Sequence, residues 1–346
     1  METPQFLDML PQPAFLVRSG SIAYANPAAT GCLLEAGQPI TPLLYTGAEE
    51  YAAFDGGTLC LQLQHGASIW NVTVTRSNDG DLFVLEPAQE DPALQALSLA
   101  AMDLRTPLNT AMQEAELLLR ALPQEKASDA ALLKRSLYQL LRRVSNMSDA
   151  ARYQENPTGA PELQDICAVL DEIFEKAAAM AETAGIRLRY QGLTECHICP
   201  VEAERLERAV YNLIVNAAKF SEPGAVIEAT LRRRGRSLAL TVADSGSGIP
   251  AALRGQLYSR YQRQPGLDDS RHGLGLGMVL IRAAAAAHHG TVLLETGDTG
   301  TRITLTFSLA QPVGQLRSPL LRTDYAGDLD HSLVELSDVL HPEAYL

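Results

Sequence analysis

The sequence predicts a multidomain α+β protein built from a small α/β unit, an antiparallel helical hairpin and an α/β sandwich. Three observations predict it. Apolar residues step by three and four through 94–122 and again through 133–151, the spacing of a coiled-coil or bundle seam. Before that seam, short runs alternate apolar and polar side chains between turn residues. After it, helical and strand patterns mix, as in a mixed sheet covered by helices on one face. A length of 346 residues accommodates two or three such units. The expected divisions are 1–88, 89–155, 156–310 and a C-terminal tail, 311–346.

In the first unit, 14–17 (AFLV) and 22–25 (IAYA) flank Arg18-Ser19-Gly20-Ser21 as strand, turn and strand. Asn26-Pro27 opens a short helix, with Asn as N-cap and Pro in the first turn. Runs 58–63, 69–75 and 81–85 complete a five-stranded antiparallel sheet, with turns at Gly66 and Asn78-Asp79-Gly80.

Asp91-Pro92 starts the first long helix, whose seam runs Leu94, Leu97, Ala101, Leu104, Leu108, Ala111, Ala115, Leu118 and Leu122. Pro107 is expected to kink it. After a loop at 123–128, Leu133, Leu137, Leu140, Val144, Met147 and Ala151 form the second seam. Two such helices cannot enclose a core alone, so pairing with a second copy into a four-helix bundle is expected, giving a homodimer.

Asn156 to Pro161 is a linker rich in Pro and Gly. Beyond it the pattern gives a helix at 163–184, strands at 186–191 and 196–199, a helix at 201–219, and strands at 225–233 and 237–243. A loop runs to about 272, followed by a helix at 274–288 and strands at 291–296 and 301–309. The last 36 residues carry little pattern except one or two helical turns between Leu333 and Leu340.

The net charge of −13 argues against a general nucleic-acid binder. Its distribution is uneven. Residues 1–90 carry 10 acidic and 2 basic side chains, the tail 6 and 2, and the middle 25 and 24. A domain handling a polyanion belongs in that near-neutral middle. No apolar run is long enough for a membrane span, and METPQFLDML carries no secretory pattern. With five dispersed cysteines, the expectation is a reduced, cytoplasmic protein.

Four segments carry the chemistry. In Asn212-Leu213-Ile214-Val215-Asn216-Ala217-Ala218-Lys219-Phe220-Ser221, helical spacing puts Asn212, Asn216 and Lys219 on one face. Amide oxygens can ligate Mg²⁺ and an ammonium can neutralise phosphate; a solvated helix face gives the same pattern. Lys219 is one of four lysines against 24 arginines. Asp244-Ser245-Gly246-Ser247-Gly248 follows an apolar strand, where a carboxylate can accept from an exocyclic amine such as that of adenine; a plain turn is the alternative. Gly273-Leu274-Gly275-Leu276-Gly277 opens a helix, where backbone N–H groups can face a phosphate. Gly297-Asp298-Thr299-Gly300-Thr301 precedes the final strand.

In this order and spacing the four resemble the N, G1, G2 and G3 boxes of the ATP-binding domain of sensor histidine kinases, a fold shared with gyrase, Hsp90 and MutL. The resemblance covers about 155 residues. It implies a nucleotide site formed by Asn212, Asn216, Lys219, Phe220, Asp244, Gly246, Gly248, Arg263, Gly273, Gly275 and Thr301. ATP and Mg²⁺ would be the cofactors, with Asn216 as the metal ligand, Lys219 on phosphate and Asp244 on adenine. Residues 250–272 would form the ATP lid, with Tyr258 and Tyr261 where the family often has phenylalanines. One departure is Arg271, where the family's third box often begins with glycine.

Ala101-Met102-Asp103-Leu104-Arg105-Thr106-Pro107-Leu108 resembles the family's phosphoacceptor box, usually Ser-His-Glu-Leu-Arg-Thr-Pro-Leu. Met102 stands at the histidine position, and the seven histidines lie at 65, 197, 272, 288, 289, 331 and 341, none on the hairpin helices. A thioether has no nucleophilic nitrogen and cannot form a phosphoramidate. Asp103 matches the family's general base, and Asp103 with Thr106 matches its pattern for dephosphorylating a response-regulator aspartate; inherited sequence on a surface helix is the alternative. Residues 1–88 more loosely resemble a PAS sensor domain, through Tyr24-Ala25-Asn26-Pro27-Ala28 and the final three strands.

Three other features read as structural: Cys196-His197-Ile198-Cys199 as strand packing, Arg232, Arg233, Arg234 and Arg236 as a solvated hairpin edge, and Ala283–Ala287 as close helix–sheet packing. The resemblance implies a histidine-kinase-type signalling protein, a homodimer or a heterodimer with another kinase, working with a response regulator. Three activities compete within it: a pseudokinase, a trans-acting kinase and a regulator phosphatase. A non-enzymatic interaction module, with the acidic tail engaging a partner, is the alternative from another class.

Overall fold

In the computed structural model, which describes residues 7–87, 92–120, 123–156, 159–222, 224–249, 276–297, 299–309, 324–325 and 329–345, Asn26 organises the start of the chain. Its fully buried Oδ1 accepts from Ala29 N and Ala14 N at 2.8 and 3.0 Å, and its Nδ2 donates to the carbonyls of Leu7, Leu10 and Gln12. One side chain thus caps helix α1 (Pro27–Gly31) and satisfies backbone groups entering strand β1 (Ala14–Arg18).

Strand β1 pairs with β2 (Ser21–Ala25) and β5 (Gly80–Pro87), and β5 continues to β4 (Ser68–Ser77) and β3 (Thr58–His65). These are the five antiparallel strands the alternation predicts. A second short helix, α2 (Ala48–Ala52), lies between β2 and β3. Phe15 and Phe83 stack at 5.0 Å in the core beneath.

Helices α3 (Pro92–Arg120) and α4 (Ala127–Glu155) form the hairpin, and α3 continues through Pro107. The seam divides between two environments. Leu94, Ala101, Leu108 and Ala115, seven residues apart, are buried within the chain. The alternate positions Leu104 and Leu118 are 48% and 67% exposed, with Leu133 and Leu140 open on α4. One half of the heptad closes the hairpin, and the other half faces outward.

The remaining unit contains β6 (Glu162–Asp165), α5 (Ile166–Thr183), β7 (Arg187–Gln191), β8 (Ile198–Val201), α6 (Ala203–Phe220), β9 (Val226–Arg234), β10 (Ser237–Ala243), α7 (Leu276–Ala287), β11 (Val292–Gly297) and β12 (Gly300–Ser308). Two of the boundary shifts have a visible cause. The helix expected from 163 begins at Ile166, because 162–165 pairs with 198–201 as a two-stranded sheet. The strand expected at 196–199 starts at Ile198, because His197 N donates instead to Asp165 Oδ1, which also caps α5 through Cys167 N. Of the run expected as strand packing, His197 and Cys199 are buried but Cys196 and Ile198 are exposed, because only the inward face of the short strand meets the core; Arg232 to Arg236 are exposed as expected.

The two main sheets are one. Residues Val292–Leu294 of β11 pair antiparallel with Thr58–Cys60 of β3, giving a ten-stranded sheet in the order β2-β1-β5-β4-β3-β11-β12-β10-β9-β7. Only β7 and β9 run parallel within it. Gly57, at φ +84°, allows the junction: a Cβ there would lie 2.4 Å from the Leu294 carbonyl oxygen.

The tail has more structure than its pattern suggests, and the helical turn expected within Leu333–Leu340 is present in part. Strands β13 (Asp324–Tyr325) and β14 (Leu329–Asp330) pair, and Asp330 caps α8 (His331–Glu335), followed by a 3₁₀ turn at Pro342–Tyr345. Val334, Leu336, Leu340 and Tyr345 are buried. Their irregular spacing hides them from periodicity, yet they cover the faces of α4 and α6 that the sheet leaves open.

Candidate functional site

Helix α6 is buried almost without interruption from Arg205 to Val215. One face packs on the sheet, and the hairpin and tail cover the other. The polar residues of that second face, including Arg208 and Asn212, are therefore buried and must be paired. Asn212 Nδ2 donates to the Arg208 carbonyl at 2.8 Å, and its Oδ1 accepts from Arg142 Nη2 of α4 at 3.1 Å. Asn216, one turn on, is half-buried beside Gly277 at the start of α7.

Lys219 completes this face. Its Nζ lies 2.6 Å from Asp338 Oδ2 of the tail, and the same oxygen accepts from Arg142 Nη1 at 2.6 Å. Burial lowers the Lys219 pKa against the pull of Asp338. Burial would raise that of Asp338, but the Arg142 and Lys219 charges outweigh it and hold the carboxyl below its ordinary value.

Asp244 follows β10. Its Oδ1 accepts from Gly246 N at 2.9 Å and Thr301 N at 3.2 Å, while Oδ2 takes no bond from the described residues. Burial raises its pKa against those two N–H donors. The Asp244 turn presses on the end of α6: a Cβ on Gly246 would meet the Phe220 carbonyl oxygen at 2.1 Å. Gly248, at φ +67°, faces the Gly297 carbonyl oxygen as closely. These glycines admit the protein's own backbone, a narrower role than approach to a ligand.

The fold thus gathers Asn212, Asn216, Lys219, Phe220, Asp244, Gly246, Gly248 and Thr301 around the C-terminal end of α6. Arg263, Gly273, Gly275 and the expected lid at 250–272 lie outside the described residues. Met102, Asp103 and Thr106 share the exposed side of α3, with Met102 63% exposed. Sequence reasoning missed Arg142, Glu335 and Asp338. Arg142 and Asp338 are two of Asn212's and Lys219's own partners, and Glu335 pairs with both Arg142 and Arg208. No local signal marks them, because each acts through a contact made across the fold.

The set fits a magnesium nucleotide. The Asn216 amide offers an oxygen for a hard cation, Lys219 a charge for phosphate, and Asp244 Oδ2 an open acceptor. Among the described residues no group of three His, Cys, Asp or Glu is placed to hold a metal.

Residues 201–311 match the family described as histidine kinase-, DNA gyrase B- and HSP90-like ATPase. The chain therefore carries a histidine kinase-type ATPase domain, and its homologues are sensor kinases. It is 28% identical over 213 residues to the sensor protein DivL of Caulobacter vibrioides, covering 60% of this chain and 27% of that protein. It is 30% identical over 228 residues to the sensor protein KdpD of Escherichia coli, covering 64% of this chain and 24% of that one. The chain spans about a quarter of the length of these curated relatives. The crystal structure of full-length ShkA in complex with AMPPNP shares the fold, with a TM-score of 0.50 at 23% identity over 63% of this chain and 47% of that one. Among the described residues no helix is long and apolar enough to cross a membrane.

Proposed function

We propose that this chain is a cytoplasmic, dimeric signalling protein of the histidine kinase type that binds Mg-ATP and does not phosphorylate itself at residue 102. The observation that carries the nucleotide reading is Asp244. One of its oxygens is committed to two backbone N–H groups and the other takes no bond from the described residues, in a domain that matches the ATPase family. Asp244 would receive the adenine amine, Lys219 would meet phosphate, and Asn216 would offer its amide oxygen to Mg²⁺. The magnesium nucleotide, when bound, supplies a transferable phosphoryl group. Residues 1–88 would act as a PAS-like sensor.

The outward half of the hairpin seam supports assembly with a second copy or a related kinase, since exposed leucines at heptad spacing are covered in a bundle. Met102 cannot accept a phosphoryl group, so the output is a regulated partner, a histidine on another chain, or a response-regulator aspartate dephosphorylated with the help of Asp103 and Thr106. The exposure of those two side chains beside Met102 favours an output through a docked protein. Thr106→Ala is expected to slow dephosphorylation of a cognate regulator; an unchanged rate removes the phosphatase branch. Titration with Mg-ADP tests the shared premise. Micromolar binding that is lost in Asp244→Asn supports it, and no binding to the wild type or to any site variant leaves the non-enzymatic interaction module as the reading.

A further inference from the structure

We propose that the C-terminal segment 329–345 is an internal competitor of the nucleotide, with the Asp338 carboxylate occupying the charge of Lys219 that a phosphate would use. The inference rests on the nucleotide reading above and adds regulation to the same site. The Asp338 Oδ2 atom bridges Lys219 of α6 and Arg142 of α4, each at 2.6 Å, and Arg142 in turn holds Asn212 Oδ1. Two residues expected to face the nucleotide are thus engaged by the hairpin and the tail.

The segment is built to stay near the site whether or not Asp338 holds its place. Leu336 and Leu340 are fully buried, Tyr345 packs edge-on against Tyr138 at 5.0 Å, and Gln139 Nε2 donates to the Ser337 carbonyl at 3.1 Å. These anchors give the carboxylate a high effective concentration at Lys219. The bridge itself is exchangeable. A buried ion pair repays little beyond its desolvation cost, and a polyphosphate offers Lys219 more charge than one carboxylate. Nucleotide entry would then take Asp338 from Arg142 as well, leaving Arg142 with Glu335 and Asn212 and weakening the tie between hairpin and tail. The group facing Lys219 and Arg142 is therefore an acidic segment of the chain itself, consistent with a tail carrying 6 acidic side chains against 2 basic.

The test uses the full chain and Mg-ADP, with affinity measured calorimetrically for the wild type, Asp338→Asn, Asp338→Glu and Asp244→Asn. Asp338→Asn is expected to bind about tenfold tighter, and Asp338→Glu, which keeps the charge, to stay close to wild type. Hydrogen exchange supplies a second readout that needs no variant: amides at 337–339, between the Leu336 and Leu340 anchors, are expected to lose protection at saturating Mg-ADP. Equal affinities of wild type and Asp338→Asn, with unchanged exchange and binding still lost in Asp244→Asn, overturn the competitor while leaving the nucleotide site standing. Absence of binding in every variant, Asp338→Asn included, removes both.

Discussion

Thr301 donates its backbone N–H to Asp244 Oδ1 at 3.2 Å, while Asp244 N donates to the Thr301 carbonyl at 2.9 Å. This reciprocal pair links the end of β10 to the start of β12 and fixes which carboxylate oxygen is left over. In Asp244→Asn the amide oxygen can keep both backbone bonds, and the NH₂ group replaces the open acceptor. The substitution is expected to leave the melting temperature nearly unchanged and to weaken Mg-ADP binding by roughly five- to 100-fold. Opposing a donor with a donor costs roughly 1–3 kcal/mol, and 1.4 kcal/mol is a factor of about ten.

Met102→His places an imidazole one residue before Asp103 on the exposed side of α3. With labelled ATP, the wild type is expected to carry no acid-labile label and the variant to gain it. Label on the wild-type chain would refute the assignment of residue 102 as inert.

Leu104 and Leu118 lie on the open half of the seam, so Leu104→Glu with Leu118→Glu removes apolar contact between copies without disturbing the buried half. Sedimentation is expected to show a dimer for the wild type and a monomer for the double variant, each with the same helical circular dichroism.

Gly57 sits in the left-handed region against Leu294 of the other sheet half. Gly57→Ala is expected to cost about 1–3 kcal/mol in urea unfolding and to raise hydrogen exchange at 292–294. Unaltered exchange there would mean that β3 and β11 do not pair in solution.

Burial lowers the His288 pKa to about 4. Its Nδ1 donates to the Ala284 carbonyl at 2.7 Å and its Nε2 accepts from Glu202 N at 3.0 Å, a geometry that only the neutral ring supports. The unfolded chain therefore binds the proton more readily. This contribution is complete above about pH 6.5 and is lost as pH falls towards 4, of the order of 3 kcal/mol in all. His288→Gln, which retains an acceptor for Glu202 N, is expected to flatten stability against pH across that window.

Much of the site was legible because its residues lie in short segments whose spacing reflects one element each. Asn212, Asn216 and Lys219 share a face because a helix turns every 3.6 residues, and Asp244 ends a strand whose alternation is plain. The doubling of the hairpin seam was legible in part: the three-four stepping marks the apolar positions, but does not say which half closes within the chain. The strand at 162–165 escaped because four residues carry too little period to separate a strand from the first turn of a helix.

By itself, then, the sequence determined the order of elements, the grouping of amide, ammonium and carboxylate residues, and the absence of a nucleophile at Met102. Those depend on covalent neighbours and local periodicity. The tertiary structure alone decided that β3 continues into β11, and that Asp338 rather than solvent meets Lys219 and Arg142. Strand pairing is made by backbone groups common to every residue, and an ion pair between residues 119 apart leaves no periodic trace in the chain. Both are settled only when the folded core brings distant edges and charges together.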